Sequence, residues 1–188
     1  KKLPPKPRVE ESKEETEAAV PSVSAIATDN IVENLSNQDR LISGQDGEDI
    51  SIKNVSNCRI EVNFNPSAIH IRNVKDSAFV FLPCDRSILM HDCHNLTMFA
   101  SAQQIRVHTS THLTLRVAVR GAVILEECTG VTMGPYIVET ENGIVKVDDK
   151  EEWRRVKDFD WLSEAQSPNW SIAEPEDWGC ETFRLNKY

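Results

Sequence analysis

From residue 50 onward, apolar and polar residues alternate in short bursts, and the bursts repeat. The pairs Ile50/Ile52, Ile69/Ile71, Ile88/Met90, Ile105/Val107 and Val123/Leu125 recur with their second members 19, 19, 17 and 18 residues apart. Alternation marks a strand with one face on a core, and a sustained period marks units that stack on one another. Six residues beyond each second member a further alternating run begins: Cys58/Ile60/Val62, Ser77/Phe79/Phe81, Leu96/Met98/Ala100, Leu113/Leu115/Val117 and Val131/Met133. Each unit therefore predicts two short strands joined by a polar corner. The corners keep register as well: Val55, Val74, Cys93, Ser110 and Cys128 form one inward column, each preceded by a polar residue, Asn54, Asn73, Asp92, Thr109 and Glu127.

A coil of 17 to 19 residues is too short for a strand plus a helix and carries no helical spacing. It suits an all-β parallel β-helix of about five coils, with successive coils about 4.8 Å apart. The alternative is an antiparallel sandwich with strands at similar intervals, but a sandwich need not hold its inward columns in register through five successive units. Residues 1–45 are rich in Pro, Glu, Lys, Ser and Ala and contain no aromatic residue, the first being Phe64. They read as a linker or disordered segment, with a loose helix from Ile26 to Leu41 as the one element on offer. Residues 46–188 read as the β-helix domain and its C-terminal extension. The repeat stops after Pro135, and all four tryptophans lie in the final 36 residues. The amphipathic runs 153–162 and 167–172 are expected to cap the open last coil or pack along its side. Phe159, between two aspartates, is the aromatic expected to stay partly exposed.

Composition narrows the function classes. A chain of 188 residues with 39% hydrophobic and 27% charged residues can bury one real core. Its net charge of -9 argues against a general nucleic-acid or anionic-membrane binder, so any basic site must be local. Five cysteines at irregular spacing without a CxxC pair read as reduced thiols and point to the cytosol. The sequons at Asn34, Asn54, Asn95 and Asn169 are then accidental. No apolar run reaches the length of a membrane span, and the opening Lys-Lys-Leu-Pro-Pro, with neither Met nor a signal-peptide core, reads as part of something longer.

Candidate chemistry is sparse and local. There is no GxxxxGK[ST] and no GxGxxG, so no nucleotide site of the chain's own is expected. His91, His94, His108 and His112 fall in two coils without a convergent carboxylate, and a metal site is not expected. The clustered carboxylates that a polysaccharide lyase or hydrolase needs are missing; the outward columns offer Glu126 alone. One such column reads Ser51, His70, Leu89, Arg106, Ile124, and the next reads Lys53, Arg72, His91, His108, Glu126. In the strand Gln103-Gln104-Ile105-Arg106-Val107-His108, two anchored apolar neighbours hold Arg106 stiffly outward. Register places Glu126 one coil above His108 and diagonally above Arg106, within reach of a hydrogen-bonded pair that would fix the guanidinium's direction. The bland alternative is a surface ion pair worth less than about 1 kcal/mol.

These residues also carry a resemblance. The Gln-Gln-Ile-Arg-Val-His strand, the later Glu-Glu-Cys-Thr-Gly-Val-Thr-Met-Gly-Pro-Tyr, and the tail motifs Val-Lys-Asp-Phe-Asp-Trp-Leu and Ser-Pro-Asn-Trp-Ser-Ile occur in this order over about residues 48–175. They resemble the cofactor C-like domain family, typified by the C-terminal domain of tubulin-binding cofactor C. Related domains occur in the retinitis pigmentosa protein that acts on an Arf-like GTPase and, more distantly, in the actin-binding domain of cyclase-associated proteins. The resemblance implies a right-handed parallel β-helix and GTPase activation by an arginine supplied in trans. The implied partners are β-tubulin or the α/β-tubulin heterodimer, with cofactors D and E. No cofactor is then bound by this chain, GTP and Mg residing on the partner, and the setting is cytoplasmic and cytoskeletal. Carried across, Arg106 matches the arginine finger, Gln104 the glutamine two residues before it, and Glu126 the acidic residue that orients the arginine. Phe159 matches an aromatic contact, and Gln103 and His108 flank the finger on the partner-facing strand. The rival readings are activation of an Arf-like GTPase and a non-catalytic tubulin- or actin-binding scaffold.

Overall fold

The structure is a computed structural model that describes residues 30–147 and 150–184. Fifteen strands run in chain order: β1 Asn30–Ser36, β2 Arg40–Ile42, β3 Ile50–Ser56, β4 Arg59–Val62, β5 Ala68–Phe81, β6 Ser87–Ala102, β7 Gln104–His108, β8 Thr111–Val119, β9 Val123–Glu126, β10 Thr129–Pro135, β11 Val138–Thr140, β12 Gly143–Ile144, β13 Val156–Asp158, β14 Trp170–Ile172 and β15 Glu181–Thr182. Strands one turn apart pair in parallel, β1 with β3, β3 with β5, β5 with β6, β6 with β7 and β8, β7 with β9, and β8 with β10. The result is a parallel β-solenoid of about six turns, with no α-helix among the described residues. The sandwich alternative falls, because its strands would pair antiparallel.

The repeat seen in the sequence is the core itself. Ile50, Ile69, Ile88, Ile105 and Val123 stack in register, as do Ile52, Ile71, Met90, Val107 and Leu125, and all ten side chains are fully buried. Val55, Val74, Cys93, Ser110 and Cys128 form the expected inward corner column. What turns the chain there is a pair of left-handed residues per coil. The first column is Asn34, Asn54, Asn73, Asp92, Thr109 and Glu127, with φ between 47° and 56°. The second is Asn37, Asn57, Asp76, Asn95, His112 and Gly130. Asn and Asp tolerate this region better than other side-chain-bearing residues, and their amides add a ladder along the stack. Asn73 Nδ2 donates to Asn54 Oδ1 at 2.8 Å, and Asn54 Nδ2 donates to Asn34 Oδ1 at 3.0 Å. Side-chain amides of the corners thus bond coil to coil, while backbone groups of the turns bond to the neighbouring coil, as Asn57 N does to Lys75 O at 3.1 Å.

One expectation is corrected at the N-terminal end. From residue 30 the chain is neither linker nor loose helix but the first turn of the solenoid, with Asn30 opposite Ile50 and Leu35 opposite Val55. Leu35 continues the corner column, and Val32 and Ile42 pack on the core. So few inward positions are needed for an end coil that its polar composition hid it. Residues 1–29 lie outside the described part.

The C-terminal segment closes the stack and wraps its side. Trp153, on the 3-10 turn Glu152–Arg154, is buried in the main core with its ring edge-on to Trp178 at 5.7 Å. β13 then adds to β9, and β14 adds to β10, covering the open last coil as the aromatic runs predicted. Beyond it, β11, β15 and Phe183 lie over Val80, Phe99 and Ala118 on the outer face of the second strand of each coil. Arg59 locks this strap, pairing with Glu61 at 2.6 Å and Glu181 at 2.9 Å. The outer face of the first strand, which carries Arg106, has no such cover among the described residues. No helix among the described residues is long and apolar enough to cross a membrane.

Candidate functional site

Strand β7 builds the site. Ile105 and Val107 are fully buried, so the period-two pleat sends Gln104, Arg106 and His108 to the outer face. Arg106 sits opposite Leu89 on one side and Ile124 on the other, with Lys157 one coil further. Its guanidinium is exposed and makes no hydrogen bond or ion pair to the described residues. The stiffness of its presentation comes from the strand, whose neighbours β6 and β9 pair with it along its length.

Glu126 lies where register put it but does not bind Arg106. It stands opposite His108, and its Oε2 lies 3.7 Å from His108 Nε2. The hydrogen-bonded Arg106–Glu126 brace expected from the sequence is absent. The reason is positional: the residue directly over Arg106 is the apolar Ile124, and His108 occupies the carboxylate's nearer side. His108 also stacks on His91 at 5.1 Å between ring centroids, and its Nδ1 contacts Thr109 Oγ1 at 2.5 Å. Burial and the neighbouring His108 hold the His91 pKa below its usual value, against the pull of Asp92 and Glu126. Gln104 is exposed opposite Ser87. Gln103 turns back instead, its Nε2 donating to the Asp85 carbonyl at 2.7 Å beside a cleft of about 700 Å³ that also contains Cys84, Arg120 and Lys150.

The aromatic edge of the site is supplied from the C-terminal segment. Phe159 N donates to Leu125 O at 2.9 Å, which sets Phe159 one coil above Glu126 in the same outward column. The ring is 49% exposed, as its place between two aspartates suggested. Sequence reasoning missed what holds it. Asp158 accepts hydrogen bonds from Ser167 Oγ at 2.5 Å, Asn169 Nδ2 at 2.8 Å and the Asp160 backbone at 3.1 Å, tying the Ser-Pro-Asn-Trp turn beneath the aromatic. Burial alone would raise the Asp158 pKa, but these donors outweigh it and hold the carboxylate below its ordinary value. Asp160 in turn accepts from the Glu127 backbone, so both aspartates flanking Phe159 are spent on the loop. The signal was available in the sequence as Asp-Phe-Asp followed by Ser-x-Asn, the residue types that make such turns.

The assembled face is an exposed, uncommitted arginine on a rigid strand, a glutamine two residues before it, a His–Glu pair beside it and an aromatic at its upper edge. It contains no enclosed cavity and no phosphate-cradling loop, which suits engagement of another macromolecule. Comparison with known proteins identifies the family. The family model described as Tubulin binding cofactor C matches residues 47–159, more than half of the chain. Tubulin-specific chaperone C of Bos taurus is 28% identical over 137 residues, spanning 69% of this chain and 40% of its own length. Tubulin-folding cofactor C of Arabidopsis thaliana is likewise 28% identical over 136 residues, spanning 69% of this chain and 39% of its own. The chain thus covers about two fifths of the length of these relatives. Among solved structures, Tubulin Binding Cofactor C from Leishmania major superposes with a TM-score of 0.56 at 19% identity, over 82% of this chain and 96% of that one, a likeness of fold. On the extent of the family match, the chain belongs to the tubulin binding cofactor C family.

Proposed function

We propose that this chain serves in tubulin folding as a GTPase activator, supplying Arg106 in trans to the GTP site of β-tubulin while cofactors D and E hold the tubulin heterodimer during assembly. The observation that carries the reading is an exposed arginine, unpaired among the described residues, on a strand whose two adjacent side chains are fully buried. The names of the relatives supply tubulin as the target. GTP and its Mg belong to the partner, in the cytoplasm where tubulin assembles.

Phosphoryl transfer spreads negative charge over the γ-phosphate oxygens, and an arginine inserted from a partner adds about 10³ to 10⁵ in rate. That is roughly 4 to 7 kcal/mol of transition-state stabilisation. A freely rotating guanidinium would lose part of it to ordering, whereas one mounted on a stacked strand is already placed. Gln104 projects on the same face to orient the attacking water or the finger itself. Glu126 lies diagonal to Arg106, with its carboxylate against His108. Phe159 and His108 border the contact.

The test is GTP hydrolysis by tubulin with cofactors D and E, in the presence of the wild-type chain, Arg106→Ala or Arg106→Lys, alongside a tubulin-binding assay. Both variants should bind while hydrolysis stays near the basal rate, since lysine keeps the charge but not the planar fork. Near-full activation by Arg106→Lys would remove the finger assignment. Equal rates for wild type and Arg106→Ala would favour a non-catalytic scaffold, with an Arf-like GTPase as the next target to assay.

A further inference from the structure

The outer face of the first strand, uncovered among the described residues, has a charge pattern that the finger does not require. Along β3, β5, β6 and β7 its outward positions are Ser51, Lys53, His70, Arg72, Leu89, His91, Arg106 and His108. These eight positions hold three cations, three histidines and no carboxylate, in a chain whose net charge is -9. Carboxylates enter the columns only at the two ends, Glu33 opposite Lys53 below and Glu126 opposite His108 above. Lys53 and Arg106 have no ion-pair partner among the described residues. Arg72 has a loose one, Asp92 at 3.7 Å, and its side chain remains 71% exposed. Lys75, exposed at the corner beside Arg72, adds to the same rim.

From this we infer that the Lys53–Arg72 ladder is a docking track for an acidic polypeptide segment of the partner that Arg106 serves, separate from the finger itself. Three coil steps of about 4.8 Å separate the Arg106 level from the Ser51/Lys53 level, a track of roughly 14 Å, the span of about four extended residues. Cations held at strand spacing on an uncovered sheet face attract a run of Asp and Glu without needing a pocket. A short acidic segment touches only this track. A nucleic-acid duplex or an anionic membrane would also meet the acidic remainder of the surface, which repels it. The inference rests on the activator reading for its partner, but the track's binding is measurable without any GTPase.

The experiment uses a fluorescein-labelled oligoglutamate peptide, with oligoglutamine and phosphatidylserine vesicles as comparison probes, against the full chain. Lys53→Glu/Arg72→Glu is compared with Arg120→Glu/Lys146→Glu, which makes the same change in net charge at exposed positions on other faces. The track pair should weaken oligoglutamate binding about tenfold or more at low salt, with the difference shrinking as salt rises, and the control pair should change it far less. In the tubulin hydrolysis assay the track pair should raise the chain concentration needed for half-maximal activation while leaving the saturating rate intact, the reverse of Arg106→Ala. Equal losses from the two pairs would overturn the track, because bulk charge alone would then explain the binding. Vesicle binding without oligoglutamate binding would overturn it too, in favour of a membrane surface. If the track pair abolishes peptide binding while Arg106→Ala leaves hydrolysis unchanged, the track stands and the finger falls.

Discussion

Replacing Asp158 by alanine should loosen the aromatic edge of the site while leaving the solenoid intact. The carboxylate accepts three hydrogen bonds, from Ser167, Asn169 and the Asp160 backbone, and Ser167 is itself buried. Hydrogen bonds to a charged group are each worth about 1.5 to 3 kcal/mol when well shielded. Asp158 is half-buried, so solvent screening removes much of that and the three together contribute about 2 to 3 kcal/mol. For a domain of this size the loss lowers Tm by about 5 to 10 °C. Because Phe159 N is bonded to Leu125 O one coil below, the freed segment should show first in hydrogen exchange at Phe159. Asp158→Asn retains an acceptor and should recover about half of the loss. The pH sign follows from the depressed carboxyl pKa: its contribution is present above the unfolded value near 3.8 and is lost as pH falls through the lower folded value, so the wild-type and alanine melts should converge in acid. An alanine variant that melts within 1 °C of wild type, with Phe159 equally protected, would refute the assignment of Asp158 as the tie of this loop.

Two further outcomes test the fold. Asn73 has a φ of 53° and donates to Asn54, so Asn73→Ala should cost about 2 kcal/mol, from left-handed strain plus the lost amide bond, whereas Asn73→Gly should cost about half as much; urea melts of the two variants decide this. Of the five cysteines, Cys58, Cys84, Cys93 and Cys128 are buried, with burial pushing the Cys84 thiol up to about 11 and Cys93 up to about 12. A disulfide reagent at pH 8 should therefore titrate one thiol rapidly in the folded chain, Cys180, and all five in denaturant.

The solenoid was legible because its core is periodic in sequence and its corners keep the same register, with polar residues at the turn. What escaped was set by contacts that the hydrophobic period does not encode. The coil at 30–42 shows few apolar residues, and among the described residues one of its faces meets no further coil. The strap depends on Arg59 meeting Glu181 across 122 positions, and neither residue stands out in its own segment. The Asp158 hub joins residues that are 9 and 11 positions apart through side chains, a turn chemistry that hydrophobic periodicity does not report.

Arg106 and Arg116 show where local reading ends. Each lies in a strand between two buried apolar residues, Ile105 and Val107 for one, Leu115 and Val117 for the other, and both therefore point outward. By pattern alone either qualifies as a presented guanidinium. Arg116 is nevertheless 7% exposed, because the C-terminal segment lies over the second strand of each coil and its Nη2 donates to the Asp177 carbonyl at 2.8 Å. Burial lowers its pKa, with Asp177 pulling it back, and that arginine is committed to holding the strap. On the first-strand side the same segment adds β13, with Lys157 opposite Ile124, and places Phe159 at the edge, and it leaves Arg106 uncovered among the described residues. A guanidinium with no intramolecular partner keeps its full hydrogen-bonding capacity for a partner's phosphate oxygens, whereas one already bound to Glu126 would have to give up that bond on docking. With the brace absent, any rigidity of Arg106 has to come from strand pairing and the two anchored neighbours rather than from the carboxylate.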